Sequence, residues 1–397
     1  MRRVLTLILI GIQTVSAQDS FLSYQGQLGL LNSSFSSETL FNSDAYWDDQ
    51  DKQNILAQLV NENHIYFLVE NQLKYGNKKN WSLALNQKSL ASFSYPIDLL
   101  ELGLYGNAYY LGQELSFAPF QANFYLYSEI ELGFKIHSNF FLTSSLIAGH
   151  QFASFKAHKA TFFTAENGGS IEYELDLEGH YTNFEGSNVL AVNGIGAALG
   201  LYYEQELDQQ LLQLSISDIG FVVWDESTTN LYIDANYQFE GINVENLLDF
   251  NEDIIQDELD SIEQPFNAST KESYNWKIPA LFKVNYQQKI DFFMNAFSVG
   301  AEHRFGIYTD PFLYANLHHN REKTKWSIGY HTGGLERNSL QFSFSLRGKQ
   351  TEFQLYTRQA NAFIPDQLYG IHLGFGVKKT FSTKKTDDQS PTKDTTQ

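Results

Sequence analysis

Along most of this chain apolar and polar residues alternate with a period of two. Between Ala122 and Ile136 one face carries Ala122, Phe124, Leu126, Ser128, Ile130, Leu132, Phe134 and Ile136. The other carries Asn123, Tyr125, Tyr127, Glu129, Glu131, Gly133 and Lys135. At about 3.3 Å per residue this run makes a strand of roughly 50 Å, enough to cross a bilayer at a tilt and continue beyond it. The pattern repeats downstream. Leu340, Phe342, Phe344 and Leu346 alternate with Ser339, Gln341, Ser343, Ser345 and Arg347. Trp326, Ile328 and Tyr330, then Phe353 and Leu355, then Phe297, Val299, Ala301 and Phe305, and also Leu212, Leu214 and Ile216, behave alike. Such alternation predicts strands with one face on an apolar medium and the other on a polar one. Counting them gives about 14.

A soluble sandwich or propeller also alternates. Here, however, the polar faces carry small or charged residues suited to a wet lumen, and the strands are spaced more widely than the 8–12 residues of a sandwich. The last strand sets Ile371, Leu373, Phe375, Val377 and Phe381 on one face against His372, Gly374, Gly376, Lys378 and Thr380. A terminal strand of this kind, closing on Phe381, is the pattern read by the barrel-insertion machinery. No stretch is apolar enough to span a bilayer as a helix, so a membrane location requires a closed barrel, because open sheet edges are not tolerated in lipid. The expected fold class is all-β: a transmembrane antiparallel β-barrel of about 14 strands, with short helices in loops or lumen.

Three segments break the alternation. Val244 to Glu263 repeats Val244, Leu247, Leu248, Ile255, Leu259 and Ile262 at helical spacing with acids between, which predicts an amphipathic loop helix. Its Asp249, Glu252, Asp253, Asp257 and Asp260 suggest a calcium or partner site. The spacing lacks the central Gly of a calcium loop, and a helix capping the barrel with a solvated acidic face is the simpler reading. Asp49 to Asn63 is a second possible short helix. Pro96 to Asn107 is a third, either packed inside or under the barrel as a partial plug or forming part of a periplasmic turn.

The N-terminus adds a compartment. Arg2 and Arg3 precede the apolar Val4–Ile12, and Val15-Ser16-Ala17 reads as a cleavage site, so residues 1–17 are expected to be an export signal removed after Ala17. The apolar stretch is too short for a spanning helix, and no Cys follows it for lipid attachment. Residues 18–381 would be the barrel. Residues 382–397 carry no large apolar side chain and would form a disordered periplasmic tail. With both termini periplasmic, Gly241 to Trp276, Thr332 to Asn338 and Asn361 to Leu368 face outside; the turns at Gly348-Lys349 and His319 to Lys323 face the periplasm.

Composition agrees. With 32 Phe, 23 Tyr, 27 Gly and only 7 Pro, the chain suits extended structure with aromatic girdles. The absence of Cys removes disulfides and thiolate metal sites. Net charge is −19, near −21 without Arg2 and Arg3, which argues against nucleic acid as a partner and suits loops among anionic lipids of the outer membrane.

Candidate chemistry is sparse. The ten histidines form no metal-binding motif, and His318 and His319 fall on opposite faces of a strand. No serine sits in a Gly-x-Ser-x-Gly elbow. Gly194, Gly196 and Gly200 share one strand face, where small lumen-facing residues explain them better than a nucleotide loop. No enzyme activity, cofactor or metal is expected. Tyr125, Tyr127, Glu129, Glu131, Glu302 and Arg304 should line the lumen, either along a solute path or bonded to neighbouring lumen groups.

Several short runs carry a resemblance: Pro96-Ile97-Asp98-Leu99-Leu100 with Gly106-Asn107, Glu129 to Gly133, Ser217-Asp218-Ile219-Gly220 with Trp224, the Gly241 loop with its acidic helix, and Lys277-Ile278-Pro279-Ala280. Together they resemble a family of uncharacterised Bacteroidota outer-membrane barrels, similar in architecture to FadL-type barrels and to PorV-like barrels of type IX secretion. The chain lacks the Asn-Pro-Ala run that many of these carry near the mature N-terminus. The resemblance implies a fold and a compartment. It leaves two functions open: a passive channel or transporter for small solutes, hydrophobic ones included, or a structural or accessory barrel of a secretion or surface-protein complex. A channel predicts an unobstructed lumen or a lateral gap; a scaffold predicts a filled lumen and an exposed apolar patch.

Overall fold

The computed structural model describes residues 20–34, 47–77, 80–183, 189–240, 269–307, 310–334, 338–363 and 369–381. The expected export signal (1–17), the acidic helix of 244–263 and the tail of 382–397 lie outside the described residues.

The alternating segments form strands β1 (Ser20–Asn32), β2 (Glu62–Asn77), β3 (Trp81–Pro96), β4 (Glu114–Ser116), β5 (Phe120–Lys135) and β6 (Phe140–Thr164). Then come β7 (Ile171–Tyr181), β8 (Gly194–Leu207), β9 (Gln210–Trp224), β10 (Thr229–Phe239), β11 (Ser269–Lys271), β12 (Tyr274–Lys277) and β13 (Leu281–Lys289). The chain closes with β14 (Ala296–Arg304), β15 (Asp310–Asn320), β16 (Thr324–Gly334), β17 (Ser339–Arg347), β18 (Thr351–Thr357) and β19 (Gly370–Phe381).

Fourteen of these make a closed antiparallel ring, matching the expected count. Its order is β1, β2, β3, β5, β6, β8, β9, β13 through β18, and β19, which pairs back onto β1 with Ser20 opposite Phe381. Every wall strand thus has two hydrogen-bonded neighbours, which removes the open edges that lipid would penalise. Both ends of the described chain lie at one rim, here the terminal rim; the other is the distal rim. Connections at the terminal rim are short. Most of those at the distal rim are longer and carry the remaining elements.

The outward face is apolar around the ring. Leu28 and Leu30 of β1, Leu132 and Phe134 of β5, Phe221 and Val223 of β9, Phe342 of β17 and Leu373 and Phe375 of β19 all point away from the interior and are exposed. In a soluble protein such a belt would be a large liability; in a bilayer it is the expected surface. Among the described residues no helix is long and apolar enough to cross a membrane.

Strand β6 is longer than its neighbours. Its first part, Phe140 to Gly149, pairs with β8 in the wall. Its second part, Ala153 to Thr164, pairs with β7, which pairs with β10 along their full lengths. A small sheet of β6, β7, β10 and β11 therefore stands beyond the distal rim.

Two short α-helices complete the described fold. Helix α1 (Asp49–Leu56) starts in a capping box, where Asp48 accepts from the Asp51 backbone and the Asp51 side chain accepts from that of Asp48. Helix α2 (Ile97–Tyr105) ends at Gly106, whose φ of 74° suits glycine. The segment Pro96 to Asn107 is helical as expected, but neither expected placement holds. It connects the distal ends of β3 and β5, packs against α1 and β4, and buries none of its side chains. It therefore rides on the distal rim and is neither a lumen plug nor a turn at the terminal rim.

Candidate functional site

A ring of fourteen strands encloses more space than one layer of small side chains fills. This interior is filled in two tiers.

The first tier is ionic. Lys88 on β3 reaches Asp218 on β9 at 2.7 Å and Glu129 on β5 at 3.0 Å. Arg304 on β14 lies 3.4 Å from Asp218 and 3.7 Å from Glu70 on β2. Glu302 on β14 is held by Lys283 and by Arg358, each at 3.1 Å. Lys74 and Glu131 pair at 3.5 Å nearer the terminal rim. Five cations thus face five carboxylates, and the network is electroneutral although the whole chain carries −19. Amides and hydroxyls extend it: Asn86 donates to Glu129 at 2.7 Å, Gln27 donates to Glu70, and the Tyr356 hydroxyl donates to Gln27 at 3.0 Å.

The positions of these strands in the ring matter more than the bond count. β2 and β14 are seven strands apart in either direction, so the Arg304–Glu70 pair joins opposite walls. Lys88–Asp218 joins strands four apart. These pairs cross the lumen instead of following the wall.

Asp218 is the hub. Its φ is +62°, a left-handed conformation rare in a strand, where Asp and Asn are the side chains that adopt it most readily. It sits at a bulge, since the β8–β9 register slips between Leu199 and Leu201. Before the bulge Ser215 and Ser217 face the lumen; after it Val222 and Trp224 do, while Ile219, Phe221 and Val223 face out. The extra residue changes the parity of the strand and lets Ser217 and Asp218 both reach inward.

The second tier is aromatic. Tyr125 packs on Trp276 with ring centroids 4.8 Å apart, Phe152 stacks on Trp224 at 5.1 Å and on Tyr274 at 5.6 Å, and Tyr274 stacks on His180 at 3.9 Å. Tyr66, Leu90 and Val222 complete this buried cluster. Two glycines make room for it. A Cβ on Gly149 or Gly194 would lie 2.7 or 2.8 Å from the Trp224 ring. The cluster lies in the part of the lumen toward the distal rim.

Among these groups lies a cavity of about 390 Å³ lined by Glu70, Lys88, Asp218, Glu302, Arg304 and Arg358, with Tyr66, Tyr202 and Tyr356 beside them. A second space of about 400 Å³ lies by Phe21, Lys74, Glu352 and Lys378 near the terminal rim.

All six residues expected in the lumen face the interior. Glu129, Glu302 and Arg304 belong to the crossing network, Glu131 pairs with Lys74, Tyr127 lies under Lys88, and Tyr125 belongs to the aromatic cluster. Sequence reasoning missed Glu70, Lys74, Lys88, Asp218, Lys283 and Arg358. The available signal was a charge on the lumen parity of a strand, together with the shift from Leu212, Leu214, Ile216 to Ile219, Phe221, Val223. Of the residues read as an insertion signal, Leu373, Phe375 and Val377 point outward and Phe381 ends β19. His318 and His319 take separate partners, Ser298 Oγ at 2.8 Å and the Phe293 carbonyl at 2.6 Å. Among the described residues no three His, Asp or Glu side chains gather to hold a metal ion.

Comparison with known proteins gives a family of unknown function. The chain belongs to the family of unknown function DUF5723, whose sequence profile matches residues 22–358. No curated protein matches it. Among solved structures it is similar to a FadL homologue of Pseudomonas aeruginosa (11% identity, 93% of this chain and 91% of that one, TM-score 0.42). It is also similar to the toluene transporter TbuX of Ralstonia pickettii (10%, 92% and 90%, 0.39). A third is the translocator domain of the autotransporter NalP from Neisseria meningitidis (6%, 96% and 94%, 0.30). At such scores the likenesses carry no argument about solute or mechanism, and the barrel stands on its own strand pairing.

Proposed function

We propose that this member of the DUF5723 family is a non-enzymatic outer-membrane barrel that is closed at rest and passes a small polar solute when its lumen ion pairs rearrange. The observation behind this reading is the Arg304–Glu70 contact between opposite walls, set beside a solute-sized charged cavity. A freely open pore does not fit a lumen crossed by ion pairs and capped by stacked aromatics. An apolar solute does not suit it either, because desolvating these charges against a hydrocarbon has no compensation. A polar solute that hydrogen-bonds to Lys88, Asp218 or Arg304 can replace one crossing contact by another at little net cost. In this reading the outward apolar belt meets outer-membrane lipid, and the β19 face of Leu373, Phe375 and Val377, closing on Phe381, serves the insertion machinery.

The test is solute release from vesicles carrying the reconstituted barrel, measured over a series of sugars, zwitterions and aromatic hydrocarbons. Release of polar solutes that saturates with concentration and accelerates in Asp218→Asn supports the transport reading. Absence of release from wild type and from Asp218→Asn alike would overturn it.

One feature favours a second reading, an accessory barrel that holds a partner such as a secretion or surface-protein complex of the type IX kind. The sheet of β6, β7, β10 and β11 extends the wall beyond the distal rim and sets Glu172, Glu174, Asp176 and Glu178 on one face. If vesicle release fails, co-purification through this sheet becomes the measurement to make.

A further inference from the structure

The outward belt has a polar interruption on β2, β3 and β5, continued by Ser89 on β3. Asn71 on β2, Gln87 on β3 and Ser128 on β5 are direct register partners, so they stand side by side on the outer face. Toward the terminal rim the same face carries Leu73, Leu85 and Ile130; toward the distal rim it carries Val69 and Leu126. The row therefore lies inside the apolar band, where an amide facing hydrocarbon is costly.

Next to the row the wall is hollowed. A pocket of about 640 Å³ runs over Leu73, Leu85, Ile130 and Leu146, with Leu190 at its lip. Leu146 is 71% exposed and Leu190 54%. The hollow arises where β6 changes partner. The β5–β6 register slips between Leu126 and Tyr127, bulging His150 out of the strand. There Asn193 donates to the backbone carbonyls of Gly149 and His150, which pins the segment carrying Leu190 against the wall.

The hydrogen-bonding state of the row defines what it can accept. His150 Nδ1 lies 3.1 Å from the Ala191 carbonyl and must donate to it, so its Nε2 accepts from the Ser128 hydroxyl at 2.9 Å. Ser128 thus keeps only acceptor capacity. The Tyr24 hydroxyl donates to Asn71 Oδ1 at 2.7 Å, which leaves the Asn71 NH₂ free to donate. The exposed Gln87 amide has no partner among the described residues. No Lys or Arg lines the pocket.

We propose that this hollow is a bilayer-facing binding site for a single-chain amphiphile with an uncharged head, a hydroxyl or an ester. The head accepts from Asn71 and Gln87, and a hydroxyl also donates to Ser128 or Gln87. The chain lies over Leu73, Leu85, Ile130 and Leu146 under Leu190. A carboxylate is disfavoured, since no cation is present to balance it. The site rests on the membrane reading above but not on transport through the lumen.

The experiment uses the full-length barrel in phosphatidylcholine vesicles and a diazirine-bearing dodecanol as the probe. After photolysis, adducts are mapped by mass spectrometry. The site predicts adducts concentrated on β2, β3, β5 and β6 around the row. It predicts roughly tenfold fewer there in Asn71→Leu/Gln87→Leu, which removes two hydrogen bonds without adding polarity to the lipid face, and a similar loss in Leu146→Trp, which fills the pocket. Heat-modified gel mobility confirms that each variant is folded. Adducts spread evenly around the wall and indifferent to the variants would overturn the site and leave the membrane reading standing. Adducts absent from every outward strand would overturn both.

Discussion

At the scale of single residues the lumen depends on Asp218. It holds a left-handed backbone in the middle of a strand and satisfies two cations from other strands. Two substitutions separate these roles. Asp218→Asn keeps the conformation and loses the charge, leaving Lys88 with Glu129 and Arg304 with Glu70; breaking a buried pair in this way is expected to cost about 3 kcal/mol. Asp218→Ala adds roughly 1 kcal/mol, because alanine tolerates a positive φ poorly. Urea unfolding followed by heat-modified mobility should rank wild type above Asn and Asn above Ala. Equal stability of all three would show that the hub is not structural. Part of this was legible. Period-two reading puts Glu129, Glu131, Glu302 and Arg304 inside, because parity alone decides the face. It does not find Asp218, since a bulge changes parity without changing composition. Nor can it pair Lys88 with a carboxylate 130 residues away, because that distance is set by ring closure.

At the scale of elements the strands were written in the sequence, and their irregularities were not. β17 occupies Ser339–Arg347, the run that alternation marks, because both of its faces have unbroken chemistry. β6 runs through 25 residues with bulges at His150 and His158, and nothing in its sequence shows that it exchanges β8 for β7 halfway. The helical character of Pro96 to Asn107 was readable from its clustered leucines; its place on the distal rim follows from strand connectivity. Two predictions belong here. Gly194 lies against the Trp224 ring, so Gly194→Val overpacks the aromatic tier and should cost about 1–3 kcal/mol by urea unfolding. An unchanged midpoint would mean that the tier is loosely packed. In the projecting sheet Asp176 stands directly opposite Asp234, a like-charged pair. Asp234→Lys should stabilise that sheet by roughly 0.5 kcal/mol at low salt and less at high salt. Hydrogen exchange of the β7 and β10 amides at two salt concentrations reads this directly, and slower exchange in wild type would contradict it.

At the scale of the whole molecule an acidic chain builds a ring that is apolar outside and crossed within by an electroneutral network of ion pairs. The outer face is what a closed antiparallel wall needs in lipid, and period-two alternation specifies it. The inner face is what a fourteen-strand ring needs in order not to be hollow: long ion pairs that span it and aromatics that cap it. Closure of the lumen is the claim on which the functional reading turns. Its most direct test is the conductance of the reconstituted barrel in a planar bilayer, wild type against a Glu70→Ser/Arg304→Ser/Trp276→Ala variant. The account predicts a silent wild type and a conducting variant, because the substitutions remove the pair that joins opposite walls and one ring of the cap. Steady conductance from the wild type would contradict it.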